Sequence, residues 1–327
     1  MDVDLPPDLR RALDDLARGR SQRELARRAE ALSQSYRAGL PSREAIRSAD
    51  DALAYAFTRL PATYAATSAV LAAVREACPD FAPRTLVDAG AGPGSAAFAA
   101  AQQFATLGTS LLIDDNPHLR ALGLVLAGSA MAATAAYLDG DLLAALAITA
   151  PADLVIASYV IGEVSPPLLR RVADALWQAT GDILVAIEPG TPAAFARIRT
   201  LRGHLIARGA HALAPCPHDH ACPIVDPDWC HFSQRLPRSR DHRQVKGATL
   251  AYEDEKFSYV ALARTRRPAT GARVLAHPRV SKAGIGAKLC TAAGIVTTTA
   301  SRRERERYAA RKRWRWGDWI AWPEASS

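Results

Sequence analysis

No run of eighteen apolar residues occurs in this 327-residue chain, so no transmembrane helix is expected. Its first ten residues, Met1 to Arg10, carry charge and two prolines and have no apolar core, which excludes a secretory signal peptide. The expected compartment is therefore the cytoplasm. Cysteine is scarce and odd in number. Five thiols in a chain of this length read as ligands or free thiols rather than as a disulfide framework. The C-x2-C knuckle usual for structural zinc is missing, and the main glycine turn departs from the dinucleotide pattern G-x-G-x-x-G.

The chain does have apolar mass. Hydrophobic residues make up 49% of it, enough for a large core, and the length predicts two domains with a helical appendage. Abundant alanine and arginine favour helix. Charge is unevenly spread under a net +8. Between Arg235 and Arg315, 21 Lys+Arg oppose 6 Asp+Glu, a local balance of +15 that leaves −7 for the remainder. Such asymmetry argues for a polyanionic partner met by the C-terminal part, with a solvated basic surface as the plain alternative.

The stretch Thr85-Leu86-Val87-Asp88-Ala89-Gly90-Ala91-Gly92-Pro93-Gly94 organises the chain. A short apolar run ends in an acid, a glycine turn follows, and Ser95 to Phe104 reads as an alanine-rich helix. Glycines let the backbone approach a ligand closely, and free N–H groups at the helix start face the same space. Asp88 at the strand end is placed to accept from an amino or hydroxyl group. The D-x-G-x-G-P-G spacing resembles motif I of class I S-adenosylmethionine-dependent methyltransferases.

Residues 1 to about 80 read as helices, with a capping box at Ser21 and Glu24, and with Leu60 to Tyr64 interrupting so that Pro61 opens a new helix ending near Cys78. Cys78 at that end is expected to be structural. From 84 to about 200 the chain alternates, with strands at Thr85–Val87, Ser110–Ile113, Thr134–Leu138, Asp153–Ala157 and Asp182–Ile187. That is a doubly wound α/β sheet, whose ligands lie beyond the C-terminal strand ends. The acids there are Asp88, then Asp114 (preferred over Asp115) for ribose hydroxyls, then Asp141 in a Gly-Asp-Leu-Leu segment that resembles the methyltransferase aspartate meeting the adenine amino group. With Gly90 and Gly92 these form the expected cofactor set. Each acid alone also fits a helix cap or a surface position.

Target chemistry is not legible. The N-P-P-Y motif of amino-methylating enzymes is absent after the fourth strand, where Ser158-Tyr159-Val160-Ile161 stands. Pro215-Cys216-Pro217 looks like a pyrimidine-methylating nucleophile but follows the fifth strand. Tyr159 and Glu163 fit substrate contact and packing equally, so no catalytic residue is assigned.

The alternating pattern stops after about 208. Cys216, Cys222 and Cys230 then fall within fifteen residues, and Cys290 lies sixty residues on. Four thiolates match tetrahedral zinc or an iron–sulfur cluster. The C-x5-C-x7-C spacing tilts the choice to a cluster, while His218, His220 and His231 keep zinc open. Phe257–Leu262 and short strands at Arg273–Leu275, Ala287–Leu289 and Ile295–Thr299 predict a small β-rich module. Ser301 to Trp319 then reads as a basic helix with Tyr308, Trp314, Trp316 and Trp319, in which Arg311, Lys312 and Arg313 are the candidate RNA contacts.

Together these stretches resemble the methyltransferase-like family of mitochondrial ribosomal small subunit protein twenty-two and its bacterial relatives. The matching residues are Arg59 to Ala66, Asp88 to Gly94, Ile187 to Pro192, the Cys216/Cys222/Cys230 run, Lys256 to Tyr259, Cys290, and Ala310 to Lys312 leading to Trp316-Gly317-Asp318. The resemblance implies a Rossmann-like class I methyltransferase domain binding S-adenosylmethionine, a 4Fe–4S cluster on the four cysteines, and association with ribosomal RNA of the small subunit during ribosome assembly. It implies an N-terminal helical region at 1–80, the methyltransferase domain at 81–210, and a cysteine-ligated basic module at 211–327. It leaves two functions standing: an RNA methyltransferase, or a non-catalytic RNA-binding assembly factor, the latter with zinc in place of the cluster.

Overall fold

The computed structural model describes residues 3–131, 133–238, 249–267 and 271–323. It opens with helices α1 (Pro7–Ala17), α2 (Gln22–Arg37), α3 (Ser42–Ala45) and α4 (Ala49–Ala77). Ser21 caps α2 by accepting from Glu24 N, as its capping box predicts, and Ser48 caps α4 by accepting from Asp51 N. The expected break at Pro61 does not occur, because α4 runs through it for 29 residues. An interior proline costs about 3 kcal/mol in helix propensity. The buried residues around it, Leu53, Phe57, Leu60 and Tyr64, each contribute roughly 1.5–3 kcal/mol by leaving water. Burial on nearly every face outweighs the local penalty.

The main sheet follows the expected alternation: β1 (Thr85–Ala89), α5 (Ser95–Gln103), β2 (Thr109–Asp114), α6 (Pro117–Ala130), β3 (Thr134–Asp139), α7 (Leu142–Ala147), β4 (Ala152–Ser158), α8 (Leu169–Gln178), β5 (Thr180–Pro189) and α9 (Pro192–Ile206). These five strands are parallel in the order 3-2-1-4-5, with β1 hydrogen-bonded to both β2 and β4. The doubly wound α/β class is therefore as expected, and the sheet is mixed. Next come β6 (His211–Ala214), β7 (Phe232–Pro237) and β8 (Tyr252–Ala263). β8 lies antiparallel beside β5, and β6 and β7 pair with it.

This placement differs from the sequence reading, which put Phe257–Leu262 in the C-terminal module. Residues Phe257 to Ala263 are all buried. A continuous apolar run suits a strand covered on both faces, and only the large sheet, with α4 on one side and α9 on the other, offers that cover.

The second sheet is small: β9 (Ala272–Val274), β10 (Arg279–Val280), β11 (Ile285–Thr291), β12 (Gly294–Ala300) and β13 (Trp319–Ile320), in the order 10-11-9-13 with β12 also on β11. Its core is Ala272, Val274, Ala287 and Leu289, covered by Trp314, Ile320 and Trp322. The basic helix expected over 301–319 is shorter, α10 (Arg305–Arg313), because the chain turns extended at Trp314 to reach β13. Part of the basic stretch, 239–248 and 268–270, lies outside the described residues. Among the described residues no helix is long and apolar enough to cross a membrane.

Candidate functional site

Strand order reverses direction between β1 and β4, and ligands of such sheets bind at the strand ends beside that point. The glycine turn lies there. Gly90 has φ +72°, and a Cβ at that position would stand 2.3 Å from Val160 Cγ2. Gly94 caps α5 in the left-handed region at φ +88° and offers no side-chain cap to the helix. Only glycine permits both the torsion and the approach. The turn is fastened across β2: Gly90 N and Ala91 N both donate to Ile113 O at 2.9 Å. Gly92 N donates to Asp114 Oδ2 at 2.7 Å, and Tyr137 Oη donates to Gly92 O at 2.9 Å.

Asp88 is only 1% exposed. Its Oδ2 accepts from Ala97 N at 3.1 Å, while Oδ1 is buried with no partner. Burial pushes its carboxyl up to about 7, against the pull of the Ala97 N–H, and the nearby Asp114 adds to the rise. Asp114 accepts from Gly92 N and from Asn116 N at 2.9 Å, and burial lifts it to about 6. It therefore orders the turn, and each of its oxygens still has lone-pair capacity for a hydroxyl. Asp141 stands apart from these two. It is exposed and caps α7, with Oδ1 accepting from Leu143 N at 3.0 Å and Ala144 N at 3.2 Å. The helix-cap alternative weighed from the sequence is thus realised at Asp141.

Several contacts at this edge were not legible beforehand. Asn116 Nδ2 donates to Ile46 O at 2.9 Å, Ser42 N donates to Glu163 at 3.1 Å, and Arg43 stands 3.9 Å from Asp115. The segment 42–46 thereby straps the ends of β2 and β4 together. Beyond β4, Tyr159 takes the left-handed conformation, φ 59°, unusual for an aromatic residue. Its hydroxyl donates to Glu255 Oε1 at 2.8 Å, and Arg59 lies 5.7 Å from its ring and 3.9 Å from Glu255. Glu188 at the end of β5 is buried, with Oε1 unpartnered. Burial pushes it to about 7, opposed by the Gly162 and Ile161 N–H groups. Glu188 was visible in the sequence as the acid at the end of the fifth strand, within the Ile187 to Pro192 stretch. Nothing in the sequence linked Tyr159 to Glu255, 96 residues away.

The four C-terminal cysteines do converge. Cys216, Cys222, Cys230 and Cys290 all line one small cavity of about 30 Å³ with Arg202, Tyr259 and Leu275. Arg202 donates to the carbonyls of His218 at 2.6 Å and His220 at 2.9 Å, shaping the loop. Arg273 is 2% exposed and donates to Pro215 O at 3.4 Å and Gly317 O at 2.7 Å, so it ties the cysteine loop to the C-terminal segment. Burial raises the thiol of Cys290 to about 12, the Cys216 and Cys222 thiols add to the rise, and Arg202 and Arg273 oppose it. Cys78 caps the end of α4 and does not line this cavity. Among the described residues no three His, Cys, Asp or Glu side chains are grouped so as to hold a single metal ion.

The three candidate RNA contacts separate. Arg311 is buried, 3% exposed, with Nη2 donating to Thr298 Oγ1 at 2.8 Å and its guanidinium 5.7 Å from the Trp314 ring. It braces α10 on the small sheet instead of facing solvent. Lys312 and Arg313 are exposed. The tryptophans dock back: Trp319 lies under Arg273, and Trp316 stands edge-on to His231.

The family model described as mitochondrial small ribosomal subunit Rsm22 matches residues 49–323. The ribosome assembly protein METTL17, mitochondrial, of Homo sapiens is 30% identical over 292 residues, covering 81% of this chain and 61% of that protein. The Rsm22-cox11 tandem protein 2, mitochondrial, of Schizosaccharomyces pombe is 27% identical over 241 residues, covering 64% of this chain and 31% of that protein. The chain thus spans about three fifths of the human relative and under a third of the yeast one. Among solved structures, the magnesium protoporphyrin IX methyltransferase of Synechocystis PCC 6803 with bound SAM aligns over 67% of this chain and 85% of that chain, at TM-score 0.41 and 15% identity, a level that carries no argument about ligand or substrate. The mitochondrial family and relatives overturn the cytoplasmic location expected above. The expectation rested on residue patterns that bear on secretion and insertion, and these do not separate cytoplasm from an organelle interior. With a match running from α4 to the C-terminal strand, this chain belongs to the family of mitochondrial small ribosomal subunit Rsm22.

Proposed function

We propose that the protein binds S-adenosylmethionine at the ends of β1 to β3, holds a 4Fe–4S cluster on Cys216, Cys222, Cys230 and Cys290, and acts on ribosomal RNA of the small subunit during ribosome assembly. The observation that carries the cofactor reading is the orphaned Asp88 Oδ1, a buried acceptor beside a glycine cradle. A buried polar atom without a partner is costly, and the ammonium of a methionine moiety would satisfy it. Asp114 is positioned to take ribose hydroxyls with its remaining lone pairs. Asp141 supports an adenine contact less directly, since one of its oxygens already caps α7.

The C-x5-C-x7-C spacing, which lacks a C-x2-C knuckle, supports the cluster over zinc. Zinc draws four thiolates to about 2.3 Å from one point. Here four thiols line a common cavity. In a cubane the four thiolates ligate four different irons and stand further apart. When bound, the cluster would supply a structural pin between the loop 216–230 and β11. Arg202 and Arg273 would offset the negative charge of its ligands.

The ribosomal reading rests on the family and on the human relative's name, a ribosome assembly protein. A non-catalytic binding role has one specific observation in its favour. Tyr159, in the place where amino-methylating enzymes keep N-P-P-Y, is held by Glu255 and Arg59. Mapping methylation of small-subunit RNA in cells with and without the protein separates the two. A methylated position that disappears establishes the enzyme, and an unchanged map with impaired subunit assembly establishes the assembly factor.

A further inference from the structure

A second cavity, of about 350 Å³, adjoins the cysteine cavity and shares Ile224, Cys230 and Leu275 with it. Its walls are aromatic. Trp229 and His231 lie stacked, ring centroids 4.8 Å apart and planes 15° from parallel. Trp316 meets His231 edge-on at 4.7 Å and His277 at 5.8 Å. The rings are held in place. Trp229 Nε1 donates to Gly190 O at 3.0 Å, and His231 Nδ1 faces Trp229 O at 3.2 Å. A carbonyl only accepts, so Nδ1 is the donor in this contact. Trp316 Nε1 is buried with no partner.

The rim is basic. Arg279 and His277 are exposed, Lys288 is paired with Asp228, and exposed Lys256 lies within electrostatic reach of His231. Arg279 and Lys288 thus line the aromatic slot with one carboxylate, Asp228, and Lys256 adds positive charge nearby.

We propose that this cavity takes one unpaired nucleobase of an RNA strand against its tryptophan and histidine rings, with flanking phosphates met by Arg279 and Lys256. It rests on the RNA-binding reading above and specifies where a strand end or loop would be gripped. Flat π-faces accept any base, and the basic rim suits the phosphates on either side.

The test uses the full chain, purified with its native metal content, and a short single-stranded RNA carrying one 2-aminopurine, compared with the same strand abasic at that position. The expected result is quenched 2-aminopurine fluorescence on binding, with the abasic strand weaker by roughly 5- to 150-fold, the range for one stacked base. Trp229→Ala should erase that difference, and Trp229→Phe should keep it. Arg279→Ser should weaken both strands alike and reduce the salt slope by about one. If Trp229→Ala does not fold, the wild-type comparison and Arg279→Ser decide the matter. Equal wild-type affinity for the two strands overturns the base pocket and leaves RNA binding standing. Binding of neither strand overturns both.

Discussion

Asp88→Asn is the sharpest perturbation of the cofactor cleft, because it keeps the shape of the side chain and removes its charge. In the wild type, burial holds this carboxyl at about 7, well above its ordinary value. An acid raised in the folded state binds its proton more tightly there than in the unfolded chain. Its contribution to stability is therefore full below the unfolded value near 4 and is lost as pH rises to about 7. Over that window of about three units, at 1.36 kcal/mol per unit, the ligand-free protein loses at most about 4 kcal/mol through this group. Asp114 and Glu188, raised to about 6 and about 7, steepen the fall in the same direction. Chemical denaturation from pH 4.5 to 8 should show wild-type stability declining, and Asp88→Asn declining less by a few kcal/mol. The variant should also bind S-adenosylmethionine about 10- to 150-fold more weakly, the loss of one hydrogen bond to a charged group. At pH 6 the wild type should release a proton on binding, seen calorimetrically in buffers of different ionisation enthalpy, because the ligand's ammonium favours ionised Asp88. Identical pH profiles together with identical proton release in the two proteins would refute the reasoning.

Gly90→Val should abolish cofactor binding while Asp141→Ala lowers affinity only a few-fold, since Val160 leaves no room at the first position and the second caps an exposed helix; comparable losses by calorimetry would reverse the ranking. Anaerobically purified protein should be brown, with about four iron and four sulfide per chain. Cys290→Ser should bleach it and Cys78→Ser should not, and a fully coloured Cys290→Ser protein removes that thiol from the ligand set. Lys312→Ala with Arg313→Ala should weaken RNA binding and flatten its salt dependence by up to about two counterions. Arg311→Ala should act on stability instead, costing about 1–3 kcal/mol in thermal or denaturant unfolding through the unpaired polar groups it leaves; unchanged stability would return Arg311 to the RNA-facing set.

The glycine turn, its acids and the five alternating strands were readable from the sequence, because each is a local pattern. A positive φ, a strand period and a helix cap are properties of neighbouring residues. The cysteine set was equally visible as a composition, and the structure brings its four members to one cavity. Tertiary structure alone decided where those pieces went. Pro61 sits inside α4 because burial on all sides exceeds a penalty of about 3 kcal/mol that local rules take as decisive. The strand 252–263 joins the large sheet, where α4 and α9 cover its buried half, Phe257 to Ala263. Arg311 read as an RNA contact, yet it is buried and held by Thr298 on the small sheet, and Arg273 is buried and held by Gly317 O. Cys290, on β11, meets the loop 216–230 across the fold, within 3.9 Å of His218 Nε2. Long-range burial chooses among partners that no window of sequence contains, and it is there that this chain departs from its local signals.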